Sequence, residues 1–418
     1  MTSWSLWIPL IWVVIVGTRS VSFWFGEGIK IETPEDYLNG SPLDRMVYFA
    51  LIAVGALILL SRRLTWGKFI RLNRWFIVLL FYWGISVIWS DYPFTSFKRW
   101  TKELGNVIMV LIILTEQDPS CAIKAVFVRY AYIAIPLSVL FIKYFPDVGR
   151  YYSTSTYALG YSGVATNKNE LGIDLFICGL FLMWGLIDQC ASGTKRGKAD
   201  FVSRVALLLM LLWLLAISNS ITSLLSLVLG VGILFFMYRP LGKRVVGNFG
   251  VISIILLSII VLLIFVLNIP EAFVSMTGRD LTFTGRTDMW ADLLRQPLNP
   301  ILGAGYSSFW LGSGGELMWE KYYFHPNQAH NGYLETYLNG GLVGVCILAA
   351  VIFTTGRRLQ KEIVMGSDLG VFRFSVFVPV LLYNWTEAMF TGLSLIWIVM
   401  LIAILNSPYL QNTGVIKE

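Results

Sequence analysis

The sequence is poor in charge, cysteine and histidine, and each shortage excludes something. Of 418 residues only 14% are charged, where a soluble domain carries about 25%. A water-soluble chain of this length forms two or three domains, each needing a charged surface that this composition does not supply. Four cysteines are too few for a secreted disulfide scaffold. Basic residues are scattered rather than gathered, so a net charge of +7 does not describe a nucleic-acid-binding domain. What is abundant is apolar. The chain is 56% hydrophobic and 15% aromatic, which excludes disorder and leaves a polytopic membrane protein.

A helix crosses the hydrocarbon core in about 20 apolar residues. Twelve apolar runs lie between charged clusters, at 4–25, 44–60, 75–90, 101–115, 125–145, 170–188, 204–217, 220–238, 248–268, 329–353, 371–385 and 388–406. Arg19 interrupts the first, which has no basic residue ahead of it and makes a poor signal peptide. The fourth and eleventh are short enough to be tilted or partly unwound. The expected fold class is therefore all-α, with about 12 transmembrane helices forming a single integral membrane domain over 1–418.

Orientation follows from alternate loops. The loops at 61–74, 116–124 (with Arg129), 189–204, 239–247 and 354–373, with the C-terminus, hold nineteen basic and seven acidic residues. Thirteen basic and eighteen acidic residues remain elsewhere. The positive-inside rule places the first set and both termini in the cytoplasm. The bulk of the positive charge is therefore topology, and the outer surface is net acidic.

On the outer side residues 269–328 form a 60-residue connection, and loops of such length are usually functional or disordered. Trp290, Phe309, Trp310, Trp319, Tyr322, Tyr323 and Phe324 argue for a folded lid or binding platform, or a cap over the bundle. Both histidines of the chain, His325 and His330, lie at its membrane boundary. Histidine titrates near neutrality and is the usual general base there. A zinc site is disfavoured: an i, i+5 spacing splays the rings on a helix, Pro326 interrupts one, and no HExxH pattern supplies a further ligand.

The stretch His330-Asn331-Gly332-Tyr333-Leu334-Glu335 opens the tenth run and puts Asn331, Glu335 and Asn339 on one helical face. Such an intramembrane polar stripe marks a substrate path. Gly340, Gly341 and Gly344 read as close helix packing. The cations expected outside are Lys98 and Lys102 on one face (with Arg99 spaced to pair with Glu103), Lys168, Arg279, Arg286 and Arg295. Each either snorkels to headgroups or meets a bound anion, for which arginine presents a fork suited to phosphate. Within the runs charge is rare: Asp174 is the clearest case, with Arg129 and Glu387 nearer the edges. Gly303-Ala304-Gly305 reads as a turn, because Ser308 replaces the third glycine of a nucleotide loop and no strand–helix unit surrounds it.

Taken together, Gly285-Arg286-Thr287-Asp288-Met289-Trp290, then Pro300, Gly303-Ala304-Gly305-Tyr306 and Phe309, then the His330 block with Gly340-Gly341-Leu342-Val343-Gly344, resemble the O-antigen ligase/polymerase superfamily. Within it the likeness is to exopolysaccharide polymerases of the ExoQ type. Thr166-Asn167-Lys168-Asn169 with Gly172, and Ser218-Asn219-Ser220-Ile221-Thr222-Ser223, add to the match, which covers most of 80–350.

The resemblance implies a GT-C-like membrane glycosyltransferase of the bacterial inner membrane with its active site on the periplasmic face. It implies transfer of a glycan from a polyprenyl-pyrophosphate carrier to an acceptor hydroxyl, with inversion and with no metal, nucleotide sugar or other cofactor. The acceptor is either another lipid-linked repeat, as in a polymerase, or a lipid A core, as in a ligase. A lipid-linked glycan transporter is the rival from another class; an inverted repeat would support it, and none is evident. A chain-length-determining co-polymerase is an implied partner. Many ligases of this superfamily carry a basic residue in the Ser-x-Ser-x-Thr turn, where this chain has Ile221. Pyrophosphate neutralisation is then expected from Arg286, Arg279, Lys168 and the Lys98–Lys102 face. His330, or His325, is expected to activate the acceptor, with Asn331, Glu335, Asp288 and Trp290 positioning.

Overall fold

A computed structural model describes residues 3–26, 40–62, 64–152, 158–192, 198–247, 286–322 and 325–406. The expected ninth run, 248–268, and Arg279 lie outside the described residues. The principal helices are α1 (Trp7–Gly17), α2 (Pro42–Ser61), α3 (Trp66–Leu72), α4 (Arg74–Ser86), α5 (Pro93–Leu114), α6 (Pro119–Tyr144) and α7 (Lys168–Ser192). They continue as α8 (Lys198–Ser218), α9 (Ile221–Met237), α10 (Arg286–Leu294), α11 (Ser313–Lys321), α12 (Gly332–Val364), α13 (Asp368–Tyr383) and α14 (Leu395–Ile404). A three-residue hairpin, Arg150–Tyr152 against Leu159–Tyr161, precedes α7.

Each of the eleven apolar runs within the described residues contains a helix, so the all-helical membrane class is borne out. Length refines the count. Among the described residues five helices are long and apolar enough to cross a bilayer, and α3 with Arg74–Trp89 makes a sixth, bent by 93°. Three further apolar helices, Trp4–Gly17, Ile221–Met237 and Leu395–Ile404, are shorter.

The way each helix buries itself separates lipid from protein. Helix α2 leaves Phe49, Leu57 and Leu60 exposed, and α9 leaves Leu225 and Val228 exposed. An apolar face of this kind is compatible with lipid and not with water. All ten residues of α14 are buried, the signature of a helix surrounded by others. It is the central post, although it is the shortest of the apolar helices. Stacked rings of Phe127 on Phe181 at 4.2 Å and Trp184 on Phe372 at 3.8 Å fill the interior between α6, α7 and α13.

The run at 388–406 is helical only from Leu395. Residues 384–394 form irregular backbone between α13 and α14, which lipid does not tolerate unless protein satisfies its polar groups. Here protein does. Glu103, buried in α5, accepts from Trp397 Nε1 and from Gly392 N at 3.1 Å. Asn106 Nδ2 donates to the Gly392 carbonyl at 2.9 Å, and Met389 N donates to Asn384 Oδ1 at 2.8 Å. Arg99, on the same helix as Glu103, reaches outward and donates to the Ser307 carbonyl at 2.8 Å.

The glycine-rich start of α12 also departs from simple helix packing. Gly341 adopts φ 58°, ψ −162° and breaks the helix. The turn at 300–305 fills the gap: Ala304 N and Gly305 N donate to the carbonyls of Leu338 and Asn339, both at 2.9 Å, and Leu342 N donates to the Pro300 carbonyl at 2.9 Å. Tyr82 donates its hydroxyl to the freed Gly340 carbonyl at 2.6 Å. Glycine is required because a Cβ on Gly341 would lie 2.2 Å from the Ile301 oxygen, in a backbone region that costs other residues about 1–3 kcal/mol. Gly341→Ala is therefore expected to destabilise by at least about 2–3 kcal/mol, seen as a lower Tm of the detergent-solubilised protein. An unchanged Tm would contradict this packing.

Candidate functional site

The site grows from three segments that fold for local reasons. Asn167 caps α7, its Oδ1 accepting from Asn169 N and Glu170 N at 2.9 and 3.0 Å. This aims the Asn169 side chain across to the irregular 384–394 segment. Helix α10 begins at Arg286, and α12 begins after Asn331, whose side chain accepts from Tyr333 N and Leu334 N.

All three converge on Glu387, only 5% exposed. His330 Nδ1 lies 2.9 Å from Glu387 Oε2. Asn169 Nδ2 donates to Oε1 at 3.2 Å, and Arg286 Nη2 lies 3.5 Å from the same oxygen. Arg286 Nη1 donates to the Thr386 carbonyl at 2.6 Å. A carboxylate only accepts, so a neutral His330 donating to it from Nδ1 would keep Nε2 as the ring's acceptor. His330 has φ 49°, a strained value that the surroundings must impose.

Those surroundings are specific. The Ala329 carbonyl, immediately before His330, accepts from Trp290 Nε1 at 2.7 Å. Its N–H donates to Glu335 Oε2 at 2.9 Å, and Glu335 also accepts from Trp310 Nε1 at 2.9 Å and Asn339 Nδ2 at 2.9 Å. Asn339 Oδ1 accepts from Ser308 N and Phe309 N at 3.0 and 3.2 Å. The polar face expected of α12 is thus a scaffold that fastens Trp290 and the 308–310 segment around His330.

Residues 286–322, within the described part of the 269–328 connection, are folded. Met289, Leu293, Phe309, Met318, Ala329 and Leu338 form a small core of their own. Asp292 latches α10 to α11, accepting from Lys321 Nζ at 2.7 Å and from the Tyr322 hydroxyl at 2.6 Å. The Lys321 and Tyr322 hydrogen bonds hold the Asp292 carboxyl below its ordinary value. Burial and the Asp292 bond push the Tyr322 phenol up to about 12. A lowered carboxyl stabilises above its unfolded pKa and loses that contribution as pH falls through the folded one. A raised phenol loses its contribution as pH rises through about 12. Amide protection in 313–322, measured relative to intrinsic exchange at each pH, is therefore expected to be greatest at neutral pH and to fall at both extremes. A profile flat into acid would remove the latch.

The structure places the remaining expected residues apart from Glu387. Lys168 and Asp288 are exposed. Lys98 lies over the Phe94 ring and Lys102 over Tyr48 of α2, at 5.0 and 5.2 Å. His325 stacks on Trp319 at 4.8 Å and is exposed, whereas His330 is held by a carboxylate. The Ser218–Ser223 turn packs on α7, where a Cβ on Gly172 would meet Ser220 and Ser223 hydroxyls, and Ser223 Oγ lies 3.2 Å from the Tyr383 hydroxyl. Two residues stand at the centre to which sequence reading assigns no role, Glu387 and Asn169, the latter noted only within the Thr166–Asn169 stretch. The signal for Glu387 was an ionisable residue beside an apolar run.

A multi-helix membrane bundle with a folded loop fastened over a histidine–carboxylate–arginine cluster narrows the class, and similarity to known proteins narrows it further. Residues 205–349 match the family described as O-antigen ligase. The chain is 24% identical over 298 residues to the exopolysaccharide production protein ExoQ of Rhizobium meliloti (strain 1021), an alignment taking in 67% of this chain and 63% of that relative. The chain thus matches less than two thirds of the relative's length. Both matches bear out the resemblance carried by the Arg286 and His330 blocks.

Proposed function

We propose that this protein is a membrane glycan polymerase of the bacterial inner membrane, transferring a repeat unit from polyprenyl pyrophosphate to an acceptor sugar hydroxyl at the periplasmic face. The supporting observation is Glu387, which joins His330 to Arg286. His330 Nε2 takes the proton of the acceptor hydroxyl while Glu387 holds the Nδ1–H and stabilises the resulting imidazolium. The hydroxyl oxygen forms its bond to the anomeric carbon opposite the pyrophosphate. The bond to the carrier oxygen breaks, polyprenyl pyrophosphate leaves with the electron pair, and the anomeric centre inverts. No step calls for a metal.

The departing charge needs fixed cations. Arg286 spends two donors on Thr386 and Glu387 and retains others for phosphate oxygens. Arg279 and exposed Lys168 complete this role, and Trp290, Glu335 and Asn331 position His330 through its neighbours. Asp288 begins the exposed face of α10, and the Lys98–Lys102 face offers charge where the lipid-linked substrate enters. In this reading the chain is one membrane domain with twelve spans, cytoplasmic termini and 269–328 as the outer loop, working with a chain-length-determining partner.

A ligase is the second reading, favoured by the similarity of residues 205–349 to the O-antigen ligase family. The two differ in acceptor. Purified protein given only lipid-linked repeats is expected to build a ladder of longer lipid-linked glycans. Transfer to added lipid A core with no ladder would establish the ligase and overturn the polymerase.

A further inference from the structure

At the end of the bundle that carries the basic loops, a cavity of about 320 Å³ opens between α3, α4, α12 and α14. Small-ligand sites begin at about this size. Arg71 and Arg74 line it from the α3–α4 corner, and Arg358 and Lys361 line it from α12. Glu362 is the acidic residue in the wall, and it is already shared between Arg358 Nε at 3.2 Å and Arg373 Nη1 at 3.7 Å. Arg358 is further committed to the Ile404 carbonyl at 2.6 Å. Among the described residues, Arg71, Arg74 and Lys361 therefore form a positive wall with no acidic partner.

Topology explains cations on this side but not their surroundings. Ordinary positive-inside residues reach into water and need no enclosed space. Here the wall also contains Asn406, 3% exposed, whose Oδ1 has no hydrogen-bond partner. Its backbone N–H and carbonyl are both held by Asn73, at 2.8 and 2.9 Å, which keeps the residue in the wall while its carboxamide is free to turn. A buried acceptor left unmade costs free energy, and the cavity beside it is lined with donors. A group bringing negative charge and one O–H donor would satisfy both.

Helix α3 turns by 93° from the helix that follows, and the cavity lies in the crook of that corner.

We propose that this cavity binds a phosphoryl anion that also bears a hydroxyl, its oxygens taken by Arg71, Arg74 and Lys361 and its O–H donated to Asn406 Oδ1. A hydroxyl-bearing anionic phospholipid headgroup and free phosphate share this chemistry. The site lies apart from the Glu387 cluster and does not depend on the reading of that cluster.

The test uses the full chain in detergent. Native mass spectrometry compares retention of phosphatidylglycerol with phosphatidylcholine, and thermal shift follows titration with inorganic phosphate. Phosphatidylglycerol is expected to be retained in preference, with about a fivefold loss for each cation neutralised in Arg74→Gln and Lys361→Gln. Arg74→Lys is expected to keep binding, and Arg71→Gln, at an exposed position, serves where another variant does not fold. Retention that inorganic phosphate does not displace identifies the lipid as source. A Tm rise with inorganic phosphate alone, lost in the Gln variants, identifies a soluble anion. Equal retention of both lipids with no response to phosphate would overturn the proposal. So would wild-type binding by the folded Gln variants.

Discussion

Replacing His330 by alanine is expected to lower glycan transfer about 10²–10⁴-fold, the usual contribution of a positioned general base, while donor binding persists. A sugar hydroxyl is a poor nucleophile, and His330 Nε2 is the acceptor that the Glu387 bond leaves open. The carboxylate should be coupled to it. Glu387→Gln removes the anion that fixes the Nδ1–H tautomer and stabilises the imidazolium, so it should lose much of the same activity. The double variant should then be scarcely worse than His330→Ala alone, since residues acting as a unit are strongly non-additive. The check is polymer formed in a strain lacking the native gene, at matched protein abundance. Normal polymer from His330→Ala would refute the assignment, and additive losses would separate Glu387 from the base. His325→Ala, removing an exposed ring stacked on Trp319, should leave polymer intact.

Arg286→Ala is expected to cost about 10²–10³-fold, the range for removing one fixed group that stabilises transition-state charge. Arg286 is fastened by the Thr386 carbonyl and Glu387, so its remaining N–H groups stay oriented through the reaction. Lysine should not restore the rate, because an ammonium cannot hold the carbonyl and carboxylate while presenting a fork to phosphate. Lys168→Ala, at an exposed position, should weaken donor use by less. The kinetic split is diagnostic. A stabiliser of the departing charge lowers kcat and kcat/KM together, whereas a residue serving only uniform donor binding raises KM alone. An Arg286→Ala enzyme with unchanged kcat would therefore contradict its place in the reaction.

How much of this was legible in the sequence depends on how local each signal is. The helices at 44–60, 125–145 and 170–188 announce themselves as long apolar runs between charges. The interruption at 384–394 does not, because irregular backbone buried in protein keeps an apolar composition; its marks were Asn384, Glu387 and Gly392. His330 stood out through histidine's rarity, and the Arg286 block through its motif. Their meeting point did not, since Glu387 lies 57 residues beyond His330 and 218 beyond Asn169. Asn331 and Glu335 read as substrate-facing polar residues on an intramembrane stripe. In the fold they hold backbone, Asn331 as a helix cap and Glu335 as the tie to Ala329, which a helical-face argument does not distinguish. The glycines of 340–344 were read for packing. Only the φ of Gly341 shows a broken helix receiving the 300–305 turn.

The account stands most directly on carrier release. Purified protein in vesicles containing a labelled polyprenyl-pyrophosphate-linked repeat should form new glycosidic bonds and free one polyprenyl pyrophosphate for each, and Glu387→Gln and His330→Ala should suppress both products together. Movement of the intact lipid-linked repeat across the vesicle membrane, with no carrier freed and no longer glycan formed, would contradict it and identify a transporter.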